Sequence, residues 1–317
     1  MPPQATFPAA GNRVLVTGGT GFIGRHTLVS LLDAGYEVHL VTRNEPTPPP
    51  EVRVIRADLL TPGVPEAVVA RVAPSHLLHM AWFVAPGQVW NSFENVRWVE
   101  ASLALLRGFA KAGGSRAVAV GTCSEYTPSD EPCDEYGTPT QPSTLYGISK
   151  DSLRRMAEVV AREADLSLAW PRVFMAYGPH EHPERLVASV TRNLLLRRPA
   201  PCSHGRQVRD FLHTSDIGRA LVSLLGTTLT GPVNVASGRS ATVGEVVQHI
   251  GRRLERPELI RFGEITPPPN EPPVLTADVG RLRDEVRWGP SLTLEEGLDQ
   301  TIAWWEAEAA TRPSGST

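Results

Sequence analysis

Tyr146 and Lys150 stand four residues apart in the run Tyr146-Gly147-Ile148-Ser149-Lys150. On a helix that spacing puts both side chains on one face, a turn apart. A phenol held beside an ammonium forms a proton-transfer pair, because the positive charge favours phenolate and lowers the phenol's pKa from its reference of about 10. An isolated pair of this kind is better explained by an ordinary helix surface. Here a second motif agrees with it. Thr17-Gly18-Gly19-Thr20-Gly21-Phe22-Ile23-Gly24 follows the apolar Val14-Leu15-Val16 and opens into an amphipathic segment. A strand, a glycine turn and a helix start are thus written in order. Gly18 turns the chain sharply, Gly21 leaves room for a pyrophosphate against the backbone, and Gly24 lets helix and strand pack close. The helix start then aims its free N–H groups at the phosphates. Thr122, ending a strand between the two motifs, adds a hydroxyl to the set.

These groups need a scaffold that gathers distant segments at one edge. Residues 14–17, 38–42, 53–56, 76–81, 116–121 and 167–173 read as strands, and 22–34, 65–72, 93–112 and 143–164 as helices. Strands alternating with helices imply an α/β fold with a Rossmann-type, doubly wound parallel sheet. Such sheets bind ligands beyond the carboxyl ends of their strands, where the motifs above fall. Val96, Val99, Leu103 and Leu106 form one stripe on the helix at 93–112, and this stripe is expected to face the core. After about residue 172 the alternation breaks down. Residues 186–196 and 243–254 still read as helices, and 207–213 and 233–236 as short strands. Proline clusters at 46–50 and 267–273 mark loops.

With 317 residues the chain has room for one large domain or two modest ones. Its net charge of −3 leaves no nucleic-acid footprint. Three cysteines, Cys123, Cys133 and Cys202, show neither CxxC pairing nor zinc spacing, and fit a reducing cytoplasm better than a disulfide framework. No apolar run reaches membrane-spanning length. Residues 1–12 lack the charged start and apolar core of a signal peptide and read as a flexible tail, as do 311–317. A cytoplasmic protein that binds neither nucleic acid nor membrane is expected. His180 and His182 flank Glu181 without a third ligand at useful spacing, so no metal site is expected.

Further features follow in order along the chain. They are Ala57-Asp58-Leu59 after the third strand, Asn95 on a helix, Gly121-Thr122-Cys123-Ser124-Glu125-Tyr126, Pro171-Arg172-Val173 through Tyr177-Gly178-Pro179, Arg209-Asp210-Phe211-Leu212-His213, and Trp288-Gly289-Pro290 ahead of Leu294-Glu295-Glu296-Gly297-Leu298. With these, residues 13 to 306 resemble the extended branch of the short-chain dehydrogenase/reductase superfamily, the NAD(P)-dependent nucleotide-sugar epimerases, dehydratases and ketoreductases. The resemblance implies a Rossmann domain over 13–172, with a returning segment at about 208–225. It implies a smaller, mainly substrate-binding domain over 173–310. It also implies a homodimer whose helices at 93–112 and 143–164 pair with their copies.

The same resemblance distributes roles. Tyr146 becomes the acid/base, Lys150 the holder of the nicotinamide ribose, and Thr122 the hydroxyl that bonds the reacting oxygen, with Ser124 as an alternative. Asn95 completes the catalytic set by positioning the lysine through water. The cofactor falls to Gly18, Thr20, Gly21, Phe22, Ile23, Gly24, Arg43, Asp58, Leu59, Met80, Ala81, Lys150 and Arg172. The residue ending the second strand separates NAD from NADP. NAD readers place a carboxylate there for the ribose 2′-hydroxyl, whereas this chain has Thr42 followed by Arg43. A guanidinium grips a 2′-phosphate bidentately, so NADP(H) is expected, with NAD(H) the alternative.

Substrate contacts are expected from Thr122, Ser124, Tyr146, Trp82 and Arg209, the last as the diphosphate-binding arginine. Trp82 and Trp90 either wall an apolar pocket for a 6-deoxysugar or belong to the core. Two departures stand out. Met175 replaces an asparagine that contacts the nucleotide-sugar, and Asn270-Glu271-Pro272-Pro273 offers no second arginine. Dehydratases of this branch carry an acidic pair directly after the catalytic threonine. Cys123 and Ser124 occupy those places here, and Glu125 comes one too late. The expected reaction is therefore NADPH-dependent reduction of a nucleoside-diphosphate 4-keto-6-deoxysugar. The alternatives are an epimerase with bound NAD and a non-enzymatic NADP sensor.

Overall fold

The structure is a computed structural model that describes residues 12–45, 47–268 and 271–311. The tails expected at 1–12 and 311–317 lie outside the described residues except for Asn12 and Thr311, as does Asn270. Eight strands make one wholly parallel sheet: β1 (Arg13–Thr17), β2 (Glu37–Thr42), β3 (Arg53–Arg56), β4 (His76–His79), β5 (Arg116–Ala119), β6 (Gly121–Thr122), β7 (Ser167–Val173) and β11 (Gly231–Val235). Their order is β11-β7-β5-β4-β1-β2-β3, with β6 against β7. The strand at 76–81 thus ends two residues early, at His79.

Every residue of β1 from Val14 to Thr17 is buried, as a sheet covered on both faces requires. Val14 and Val16 face a layer containing α1 (Gly24–Asp33) and α6 (Thr214–Leu225). Leu15 faces α2 (Val64–Val72), α3 (Glu94–Lys111) and α4 (Leu145–Glu163). The α3 residues that meet this core are Trp98, Leu105, Leu106 and Phe109, with Val99, Leu103 and Ala110 partly buried against it. Of the expected stripe only Leu106 is fully buried, and Val96 is exposed. The helix carries apolar residues on two faces, and the larger side chains, Trp98 and Phe109, take the interior.

A second sheet holds β8 (Met175–Tyr177), β10 (Val208–His213), β12 (Ser240–Thr242) and β14 (Val274–Leu275), and a two-stranded one pairs β9 (Ala200–Cys202) with β13 (Ile260–Phe262). Packed with them are α5 (Leu186–Leu195), α7 (Val243–Arg253) and α8 (Leu294–Thr311). Within 208–225, β10 belongs to this second sheet while α6 lies against α1. β11, further along, pairs with β7 and closes the edge of the first sheet.

Candidate active site

The glycine turn is built by close backbone approach. A Cβ on Gly18, which has φ +75°, would lie 2.6 Å from Ala81 N, and one on Gly24 would lie 2.1 Å from Gly18 O. Thr17 holds the neighbouring strand end in place. Its carbonyl accepts Met80 N–H at 3.1 Å and its hydroxyl accepts Ala81 N–H at 3.2 Å. Inside, Thr17 Oγ1 meets His79 Nδ1 at 2.7 Å, and His79 Nε2 meets Ser102 Oγ at 2.8 Å. Burial holds the His79 pKa down at about 3, with Lys150's charge adding to the effect. No side chain caps the start of α1, where the Arg25 N–H donates to Gly21 O at 3.2 Å. A Cβ on the exposed Gly21 would touch only Gly18 O, at 3.2 Å. A diphosphate fits this cradle. Phe22 and Ile23 anchor it against the core below, and Thr20 O accepts a hydrogen bond from Arg25.

At the end of β2, Thr42 is buried and Arg43 is exposed. Asp58 accepts the Leu60 N–H at 3.1 Å, and Leu59 is buried.

The second half of the site lies where β6 meets the start of α4. Thr122 ends β6 and opens a single 3-10 turn, Cys123–Glu125. Its hydroxyl accepts Ser124 N–H at 3.2 Å, and its own N–H donates to Glu125 Oε1 at 2.9 Å. Gly147 lets α4 rest on that turn, since a Cβ there would come 2.4 Å from Ser124 O. Thr144 caps α4 by accepting Gly147 N–H, while Trp90 O accepts Tyr146 N–H at 3.0 Å. Tyr146 is thereby set within hydrogen-bonding reach of Thr122 and edge-on to the Trp90 ring, 6.0 Å away.

Lys150 is buried one turn on. Its ammonium donates to Val120 O at 2.8 Å and sits 3.8 Å from the centroid of the Trp82 ring. Burial lowers its pKa, and Glu125 acts in the opposite sense. The expectation that Lys150 depresses the Tyr146 pKa is corrected. Burial pushes Tyr146 up to about 12, with the Thr122 hydrogen bond pulling the other way. The lysine points its charge at Val120 and Trp82 instead.

Gly18 to Gly24, Met80, Ala81, Thr122, Ser124, Tyr146 and Lys150 are thus carried at the carboxyl ends of β1, β4 and β6 and the start of α4. Four expected residues are placed otherwise. Arg172 is buried and pairs with Glu125 at 2.8 Å, also donating to Glu135 O, so it supports the Thr122 turn from beneath rather than facing a cofactor. Asn95 is buried, gives its amide N–H groups to Val89 O and Ser92 O, and accepts Trp82 Nε1–H at 2.8 Å. Trp82 is therefore engaged by Asn95 and Lys150 and packs against the core beside α3 and α4. Arg209 lies on β10 and is bonded to Glu271 Oε1 at 2.9 Å and to the Val208 and Pro273 carbonyls. Its ion-pair partner is thus Glu271.

Sequence reading missed Glu271 and also Arg185, whose charge reaches Tyr146 while it pairs with Glu181 at 3.3 Å. Neither belongs to a local motif. His180 lies against Trp304, and among the described residues no group of three or more His, Cys, Asp or Glu is placed to hold a metal. No helix among the described residues is long and apolar enough to cross a membrane.

The chain is similar over 94% of its length to the UDP-glucose 4-epimerase of Azospirillum brasilense, at 29% identity and covering 93% of that protein. Among solved structures it resembles TunA, an NAD-dependent NDP-hexosamine 5,6-dehydratase of tunicamycin biosynthesis, with TM-score 0.81 and 29% identity over 93% of this chain and 98% of that one. It also resembles MoeE5 in complex with UDP-glucuronic acid and NAD, with TM-score 0.82 and 29% identity over 93% and 99%. The model of the NAD dependent epimerase/dehydratase family matches residues 14–236, most of the nucleotide-binding sheet and the whole Tyr146–Lys150 region. The chain belongs to the NAD dependent epimerase/dehydratase family.

Proposed function

We propose that the protein reduces the 4-keto group of a nucleoside-diphosphate 6-deoxysugar with NADPH. The observation that carries this is the Tyr146–Thr122 hydroxyl pair, which stands with the glycine turn at the carboxyl ends of the parallel strands. The cradle of Gly18, Gly21 and Gly24 at the start of α1 suits the cofactor diphosphate, Arg43 its 2′-phosphate, and Lys150 its ribose. When bound, the nicotinamide supplies hydride. Tyr146 then gives its proton to the oxygen on which negative charge grows, and Thr122 donates a hydrogen bond to the same oxygen. Acid help of this kind contributes about 10²–10⁴-fold in rate, and an oriented hydroxyl adds a few kcal/mol, roughly. A phenol raised to about 12 is fully protonated at neutral pH, which suits a group that must first act as an acid. Cys123 is a poor acid or base for dehydration, since burial pushes its thiol up to about 12. Glu125 is committed to Arg172 and Trp170.

A second reading, epimerisation with retained NAD, uses the same residues and draws on the likeness to a UDP-glucose 4-epimerase. A sensor without turnover would need neither the hydroxyl pair nor Lys150. The deciding experiment mixes the protein with a nucleoside-diphosphate 4-keto-6-deoxysugar and NADPH and follows the absorbance of the reduced cofactor. Steady loss supports the reductase. Interconversion of two sugar epimers without net loss moves the assignment to the epimerase, and neither change overturns both.

The segments after residue 172 that stand outside the first sheet are proposed to form the substrate-binding unit, with Trp90 beside the sugar. A second copy of the chain is proposed to cover the apolar face of α3 and α4, where Phe93, Val96, Ile148, Met156 and Val159 are exposed.

A further inference from the structure

Trp82 follows the end of β4, and its indole is fixed at two points. The ring N–H donates to Asn95 Oδ1 at 2.8 Å, and the ring face lies 3.8 Å beneath the Lys150 ammonium. Asn95 has no freedom to turn, because its amide N–H groups are committed to Val89 O at 2.7 Å and Ser92 O at 2.9 Å. We infer that Trp82 is a positioning residue for Lys150: Asn95 orients the indole, and the indole face holds the ammonium. This rests on the reading that Lys150 meets the cofactor ribose.

An ammonium taken out of water needs compensation. A carboxylate would supply it but would also occupy one of the three N–H donors. The face of an indole, the best of the aromatic partners for a cation, attracts the charge and leaves the donors alone. With one N–H given to Val120 O, two remain for ligand hydroxyls. The charged and titratable groups around Lys150 are few. Glu125 acts on it from the turn after Thr122 and is itself paired with Arg172. His79, on β4, is neutral. On its own helix are Tyr146 and Arg154, the latter occupied by Asp151 and Glu158. From α3 come Asn95 and Ser102, both uncharged.

Lys111 and Lys150 are the chain's only lysines, and Lys111 is exposed. Lysine-labelled protein therefore gives two side-chain NMR resonances, one of them an internal reference. In the protein without cofactor or sugar, Trp82→Met fills the space without an aromatic face. It should lower the Lys150 titration midpoint by about one pH unit, leaving Lys111 unmoved. Trp82→Phe keeps a face but loses the Asn95 anchor, and should give a smaller fall in the same direction. NADPH affinity should weaken about tenfold in Trp82→Met and less in Trp82→Phe. A Lys150 midpoint equal in wild type and folded Trp82→Met overturns the inference. Should Trp82→Met not fold, an unchanged midpoint in Trp82→Phe overturns it. Neither titration needs turnover, so a failed sugar assay and a failed inference remain separate results.

Discussion

Glu125 and Arg172 meet at 2.8 Å in the interior, with both side chains essentially closed to solvent. The other carboxylate oxygen accepts the Thr122 N–H at 2.9 Å, so this ion pair fixes the residue that Tyr146 faces. A rigid partner makes the phenol the one group in the pair that must change state. Tyr146→Phe is expected to cut kcat about 10²–10⁴-fold while NADPH still binds with near wild-type affinity in calorimetry. A variant that keeps most of its turnover would remove Tyr146 from the chemistry.

Arg43 is the residue on which the choice of cofactor turns. Removing one charge-assisted grip on a phosphate costs about 1.5–3 kcal/mol, or roughly 10–100-fold in affinity. Arg43→Ala should therefore weaken NADPH by that factor and leave NADH unchanged in fluorescence titrations. Equal effects on both cofactors would show that the 2′-phosphate is read elsewhere.

Arg209 is engaged by Glu271, which also accepts from Gln207 Nε2 at 3.1 Å. A diphosphate must compete with that carboxylate for the guanidinium. Glu271→Gln is expected to lower the KM for the nucleotide-sugar several-fold, with kcat little changed. A KM that rises instead would mean that Glu271 orients Arg209 rather than competing at it.

The exposed apolar residues of α3 and α4 predict an association. Wild-type protein at micromolar concentration should sediment as a dimer. Ile148→Glu combined with Val159→Glu should sediment as a monomer, because burying two carboxylates in an apolar contact costs more than the contact returns. A wild-type monomer contradicts the pairing.

His79 gives the molecule an acid limit. Unfolded, its imidazole takes a proton as the pH falls through about 6.5, whereas the buried ring stays neutral down to about 3. The unfolded chain binds the extra proton in that window, so stability falls with pH, by up to about 1.4 kcal/mol per unit. Urea unfolding at pH 6.5 and 4.5 should show a loss smaller by about 2–3 kcal/mol in His79→Asn than in wild type. Equal losses would mean that the ring is protonated in place.

Much of the fold was legible because it is local. The step from Val14-Leu15-Val16 through the glycines is read within one segment, and all eight expected strands are present within two residues at their ends. The stripe expected on α3 meets the core at Val99, Leu103 and Leu106 and departs from it only at Val96. An amphipathic period locates an apolar face but cannot rank two of them, and Val96 belongs to the face that α3 leaves exposed. The contacts of Trp82, Arg172 and Asn95 could not be read from the sequence for a different reason. Each takes its role from a partner on another element, Lys150, Glu125 or Trp82 itself, and no spacing within one segment encodes such a meeting. Glu271 was missed because it belongs to a proline-rich loop with no periodicity at all.

The pairing of β11 with β7 bears on how the molecule is made. As the polypeptide leaves the ribosome, β7 emerges with its outer row of amides and carbonyls bare, and it stays so until residue 235 has been translated. Parallel pairing across such a span is slow. A nascent chain halted at residue 172 should therefore be a sticky fragment, and a holding chaperone would find its natural client in that interval.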